Sequence, residues 1–338
     1  MNTATSPKEE VKPFGITTKL TAIWAISESG LGGFMHAAKI PFTGFFLGGF
    51  SIIIISLIAH YNSKKWNSIT AATLLVILIK AVASPHSPPA AYLAVAFQGL
   101  SGACVYALFS VNRLSAATFG MIALAESAVQ KLIVMTLIFG KNIWDALDAF
   151  FRGLTTELHL HTSTSFSFWI IGIYTGIYMV WGAVVGWWAT ALPGSLSKRS
   201  AEIVSRFQSM QSANTTVPTS KTKSRKLLLL FAALVFIVSV FAFQGSFGKA
   251  SNVVFRTIAA MLLLYYIAGP FITWVIQAWA RKQRAKNSPQ VKELMDLLPE
   301  IKSYVKPALQ IAKADHKDIS VYPAFVINWI VLSLYHRS

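Results

Sequence analysis

Charge is scarce in this chain: 13% of its 338 residues are Asp, Glu, Lys or Arg. A soluble domain carries roughly 25%, so the shortfall excludes an ordinary soluble globular fold. Acids are the scarcer sign, 13 against 30 Lys and Arg, for a net charge of +17. A balance this basic suits nucleic acid in a soluble protein. Here the bases fall between apolar runs, the pattern of a cytoplasmic membrane face, and no nucleic-acid partner is expected. A single cysteine, Cys104, lies inside an apolar run, which excludes a disulfide framework and a cysteine zinc site. Residues 1–17 are polar (Lys8, Glu9, Glu10, Lys12), and the apolar run after them lacks a cleavage pattern. They read as a cytoplasmic N-terminus and not as a secretory signal. Walker A, Rossmann, GxSxG and HExxH patterns are missing as well. No cofactor or resident metal is called for, the expected class is not an enzyme, and uphill transport would need an ion or a separate ATPase.

Long apolar runs are what the chain does have. A bilayer span needs roughly 20 apolar residues, and eight runs qualify: 18–38, 41–61, 67–84, 90–110, 115–139, 166–192, 227–244 and 253–279. A ninth, 321–335, is short and opens near Pro323, which suits an interfacial or packed helix. With the N-terminus in the cytoplasm, Lys64, Lys65, Arg113, the stretch Lys198–Lys226 and the stretch Arg281–Lys317 all fall inside. Lys39, Lys141, Arg152 and Lys249 are left outside. That asymmetry orients the chain in a cell's inner membrane. The expected fold is an all-α integral membrane protein. A six-helix transmembrane bundle over 18–192 is followed by a basic flexible linker over 193–225. Two further spans lie in 226–280, and basic cytoplasmic or interfacial amphipathic helices in 281–338.

Four ionisable groups fall inside spans: Glu28, Lys80, Glu126 and Lys131. A charge at the bilayer centre costs at least about 2.5 kcal/mol on insertion scales, so each should face the bundle interior. Glu126 and Gln130 share a helix face, whereas Lys131 points away from Glu126. Two readings stay open: a polar pocket opening outward with its lysines free for a ligand, or two ion pairs that hold the bundle together.

The outer loops add His36, Lys39 and the proline-stiffened SPHSPP around His86. The longest outer loop holds Asp145, Asp148, Glu157, His159 and His161. Its His-x-His pair beside a glutamate suggests metal chemistry only weakly, because alternate residues share a face on a strand and not on a helix. Small residues recur every fourth position at Ala25, Ser29, Gly33 and Ala37, and again at Gly172/Gly176 and Gly182/Gly186. Such spacing lets helices approach closely, within one chain or against another subunit.

Three stretches carry a family resemblance: KIPFTGFFLGGF, LLVILIKAVASPHSPPAAYLAVAFQGLSGACVY and ALAESAVQKLIVMTLIFG. With six closely spaced spans over 18–192, they resemble the substrate-binding S component of energy-coupling factor transporters. The likeness implies a vitamin- or metal-scavenging import subunit that binds a small-molecule substrate in the outer half of the bundle. By position its pocket would draw on His36, Lys80, His86, Gln98, Glu126, Gln130 and Lys131, with Glu28 as a buried charge. Ala25, Ser29 and Gly33 would meet a transmembrane T component, which works with ATPase subunits. The second block departs from such a subunit and reads as a partner-docking appendage. Two alternatives stand beside it: an integral membrane enzyme acting on a lipid or envelope precursor at the outer face, and a ligand-free membrane scaffold.

Overall fold

The computed structural model describes residues 15–31, 43–85, 87–157, 165–212 and 247–336, and every element among them is a helix. Six described helices are long and apolar enough to cross a membrane, so the chain is a multi-pass membrane protein. Five of them build a bundle with a sixth, shorter helix, α1. The bundle consists of α1 (Ile16–Ile26, widening into a π turn over Ser27–Leu31), α2 (Thr43–Tyr61), α3 (Lys65–Ala83), α4 (Pro89–Leu108), α5 (Arg113–Phe139) and α7 (Phe166–Ala189). Between the last two, α6 (Asn142–Glu157) is amphipathic. The expected span 18–38 is described only as far as residue 31, and 227–244 lies outside the described residues.

Local chemistry sets the helix ends. Pro89 opens α4, where its missing N–H costs nothing. Asn112 caps α5 by accepting from the Ser115 N–H at 2.8 Å, and the Ser115 hydroxyl accepts from the Asn112 N–H at 3.1 Å. Gly140 ends α5 at φ 70°, a conformation that favours glycine. The two ends of the bundle are therefore clear. One carries Asn62, Lys64 and Arg113; the other carries Ser84, Pro85 and Gly140.

Helices α5 and α7 meet backbone to backbone. A Cβ on Gly120 would lie 2.0 Å from the Gly182 carbonyl oxygen, and one on Gly186 would lie 2.0 Å from that of Ala116. Of the two glycine pairs visible in α7, only Gly182/Gly186 forms this seam; Gly172 and Gly176 have nothing within 4 Å. The outward faces of both helices are apolar and exposed (Ile122, Val129 and Ile133; Ile173, Ile177 and Val180), as lipid contact requires.

The rest of the chain departs from the expectations in part. The linker expected to be flexible is, over its first part, one continuous helix, α8 (Leu192–Ser212), which buries Leu192, Leu196, Ile203 and Phe207. Those four make a stripe at helical spacing that the surrounding Ser, Lys and Arg disguise. Next, α9 (Phe247–Leu262) and α10 (Gly269–Lys286) join through a π turn at Leu263–Ala268. Together they include the expected span 253–279, yet the run touches one end of the bundle twice. Arg256 lies against Gly140, with its guanidinium carbon 3.3 Å from where a Cβ would stand. Gln277 donates to the Pro85 carbonyl at 3.3 Å. Those residues are 21 apart, about 31 Å of helix. The run is thus a strut between Gly140 and the Pro85 end of the bundle, and it is also long and apolar enough to cross a membrane. Arg281 and Arg284 are correspondingly near Leu78, Val82 and Pro85, at the end opposite Lys64, where the charge asymmetry had not put them.

The helices expected on a cytoplasmic surface pack on the bundle as a second layer. Helix α11 (Ser288–Ser303) buries Val291, Leu294, Leu297 and Ile301 and packs on α1 and α3. Helices α12 (Val305–Asp315) and α13 (Val321–Tyr335) pack together and on α8. The Trp329 indole donates to the Ile301 carbonyl at 3.0 Å, and the Lys19 ammonium to the Leu334 carbonyl at 3.2 Å.

The seam gives a direct test. Gly182→Ala should destabilise the detergent-solubilised protein by about 1–3 kcal/mol, the range for overpacking, and lower its melting temperature. Gly176→Ala, with open space around it, should leave the melting temperature unchanged.

Candidate functional site

Glu28 and Lys80 are 52 positions apart and meet inside the bundle. The Lys80 ammonium donates to Glu28 Oε2 at 2.7 Å, and the two side chains are 1% and 5% exposed. The other carboxylate oxygen is served by Ser51, whose hydroxyl donates to Oε1 at 2.9 Å. Trp24 fixes that hydroxyl by donating its indole N–H to Ser51 Oγ, also at 2.9 Å. Three helices supply the cluster. Glu28 comes from the π turn that ends α1, a widening often found where a helix carries function. Lys80 sits in the last turn of α3, where the helix dipole favours a cation. The Tyr92 ring of α4 stands 6.0 Å from the ammonium, and its hydroxyl donates to the Ser84 carbonyl at 3.3 Å.

The remaining expected pocket residues do not gather around this pair. Gln98 is buried with its Nε2 beside Gly48, and its Oε1 meets no hydrogen-bond partner among the described residues. Gln130 donates to the Ala90 carbonyl at 3.0 Å, tying α5 to the first turn of α4. Glu126 is half-buried on the flank of α5, and its Oε2 is buried without a described partner. It lines an open groove of about 530 Å³ with Phe97, Met121, Ile122, Val129 and Met179. Lys131 is exposed. His36 and His86 lie outside the described residues. So the interhelical ion pair is realised for Glu28 and Lys80, whereas Glu126 faces an apolar side groove.

The positions expected to dock a partner are also divided. Ala25 is fully enclosed by this chain's own helices and offers no face to another subunit. Ser29 returns its hydroxyl proton to the Ala25 carbonyl, and Gly33 lies outside the described residues.

In α6, Asp148 acts as a clasp. Its Oδ1 accepts from the Ser167 N–H at 2.7 Å, and its Oδ2 accepts from the Ser165 hydroxyl. These bonds, that from Ser165 foremost, hold its carboxyl down to about 2. They join α6 to the first turn of α7. Asp145 is exposed, and His159 and His161 lie outside the described residues. Among the described residues no three His, Cys, Asp or Glu side chains group to hold a metal.

No protein-family model, no curated protein and no solved structure matches the chain. The site therefore rests on its own geometry. Sequence reasoning passed over Ser51, Trp24 and Tyr92. Ser51 could have been suspected, as a hydroxyl opening the run SIIIIS deep in an apolar segment; the other two look like ordinary span aromatics.

Two measurements follow. Glu28→Gln or Lys80→Met alone strands a buried charge, so each should cost about 3–5 kcal/mol, while the double variant should lose clearly less than the sum; chemical unfolding in detergent reads this cycle. For Asp148, a folded pKa below the ordinary carboxylate value means that the clasp is complete above about pH 4 and lost as pH falls through about 2. An NMR titration should place its midpoint near 2, and Ser165→Ala should raise it.

Proposed function

We propose that this chain is a membrane transport subunit that binds a small molecule carrying an anionic group near Lys80, for uptake with partner subunits. The observation that carries the reading is the enclosed ammonium of Lys80, held between Glu28 and the Tyr92 ring in the end turn of α3. Ionisable groups are rarely kept inside membrane helices without a binding or transport role. An anionic group on a ligand could replace Glu28 at the ammonium. Glu28 would keep its bond from Ser51, so neither charge need be left bare during the exchange.

In this reading the Pro85 end faces outward and the N-terminus lies in the cytoplasm of a cell whose inner membrane holds the protein. The likeness to the S component of energy-coupling factor transporters points the same way and would supply a T component and ATPases as partners. The scaffold alternative draws on one observation, that Glu28 and Lys80 already satisfy each other. The enzyme alternative has less behind it, since Asp148 is engaged in joining α6 to α7.

Native mass spectrometry of protein taken gently from its host's membranes tests the reading. The wild type should carry a small anionic metabolite, and the Glu28→Gln/Lys80→Met double variant, which strands no charge, should carry none. A folded double variant with the same metabolite, or a wild type empty after release into several mild detergents, would remove it.

A further inference from the structure

The strut and α3 enclose a cleft with two chemical halves. Leu78, Ala81 and Val82 of α3 make one wall, and α10 provides Ala280, Arg281 and Arg284; the volume is about 210 Å³. The Gln277 bond to the Pro85 carbonyl closes one end and fixes α10 against the α3–α4 loop. Val82 is 38% exposed although it is apolar. Both arginines are exposed, and no carboxylate among the described residues pairs with either. Lys282 and Lys286 extend the same basic turn, at a helix C-terminus that itself attracts cations and not anions.

The preceding residues of α10 describe the surroundings. Phe271, Trp274 and Trp279 are exposed. Exposed tryptophans followed by a basic turn mark the depth where acyl chains give way to headgroups, with arginines reaching up to the phosphates. A groove that is apolar on one wall and carries two guanidiniums on the other, neither paired with a carboxylate among the described residues, matches a ligand with a tail and an anionic head.

We propose that this cleft is a binding site for an anionic phospholipid. Its phosphate is held between Arg281 and Arg284, and an acyl chain lies along Ala81 and Val82. The lipid would complete the joint between the strut and the bundle. This assignment is independent of the ligand at Lys80.

The test uses the full chain in nanodiscs of equal phosphatidylglycerol and phosphatidylcholine, with native mass spectrometry as the readout. The wild type should retain phosphatidylglycerol in preference to phosphatidylcholine. The Arg281→Gln/Arg284→Gln double variant should weaken that retention at least about tenfold. Val82→Trp fills the apolar half and keeps both arginines, so it should weaken retention as well; it decides the matter if the double variant fails to fold. Undiminished phosphatidylglycerol in both variants, or equal retention of the two lipids by the wild type, would overturn the proposal. So would displacement of the lipid by millimolar inorganic phosphate, which would mark a site for the anion alone.

Discussion

A lysine ammonium inside an apolar bundle must keep a partner, and that requirement organises the fold around it. Removing an ammonium or a carboxylate from water costs several kcal/mol even after relaxation. The expense is tolerable only while the Glu28–Lys80 contact, the Ser51 hydroxyl and the Trp24 indole stay in place. Four side chains from α1, α2 and α3 are therefore coupled. A slip of any one helix would strand a charge, so the network sets the relative register of all three. The π turn at the end of α1 carries Glu28 into this network.

Elsewhere the bundle is held by a different principle. Between α5 and α7 no charge is needed, because glycines let the backbones touch and dispersion replaces polar pairing. The molecule thus joins a polar, register-fixing half with a tightly packed apolar half. The strut crosses the Pro85 end from Gly140 of α5 to the α3–α4 loop and so bridges the two. Its amphiphilic cleft fits that position, where protein, acyl chains and headgroups adjoin.

Much of the bundle was legible in the sequence, because apolar run length alone sets a membrane helix. The expected spans 41–61, 67–84, 90–110, 115–139 and 166–192 match Thr43–Tyr61, Lys65–Ala83, Pro89–Leu108, Arg113–Phe139 and Phe166–Ala189 within a turn at each end. What apolarity does not encode is where a helix goes. Residues 254–286 are apolar enough to cross, and only tertiary contacts show that they meet the bundle at Gly140 and Pro85. Helix α8 was hidden because its polar residues outnumber the four that form its buried stripe. In the site, Glu28 and Lys80 stood out as charges in spans, but their partnership across 52 residues did not, nor did the divergence of Glu126 toward a side groove.

The central claim is that Lys80 and Glu28 are in direct contact inside the membrane and that a ligand acts by parting them. Solid-state NMR in lipid bilayers, with the lysine ammonium nitrogens and glutamate carboxyl carbons labelled, reads that contact through their dipolar coupling. Ligand-free protein should show a strong cross-peak that Glu28→Gln removes, and the metabolite recovered from the native protein should weaken it. Absence of the cross-peak in ligand-free bilayers, or a cross-peak that the metabolite leaves untouched, would contradict the account.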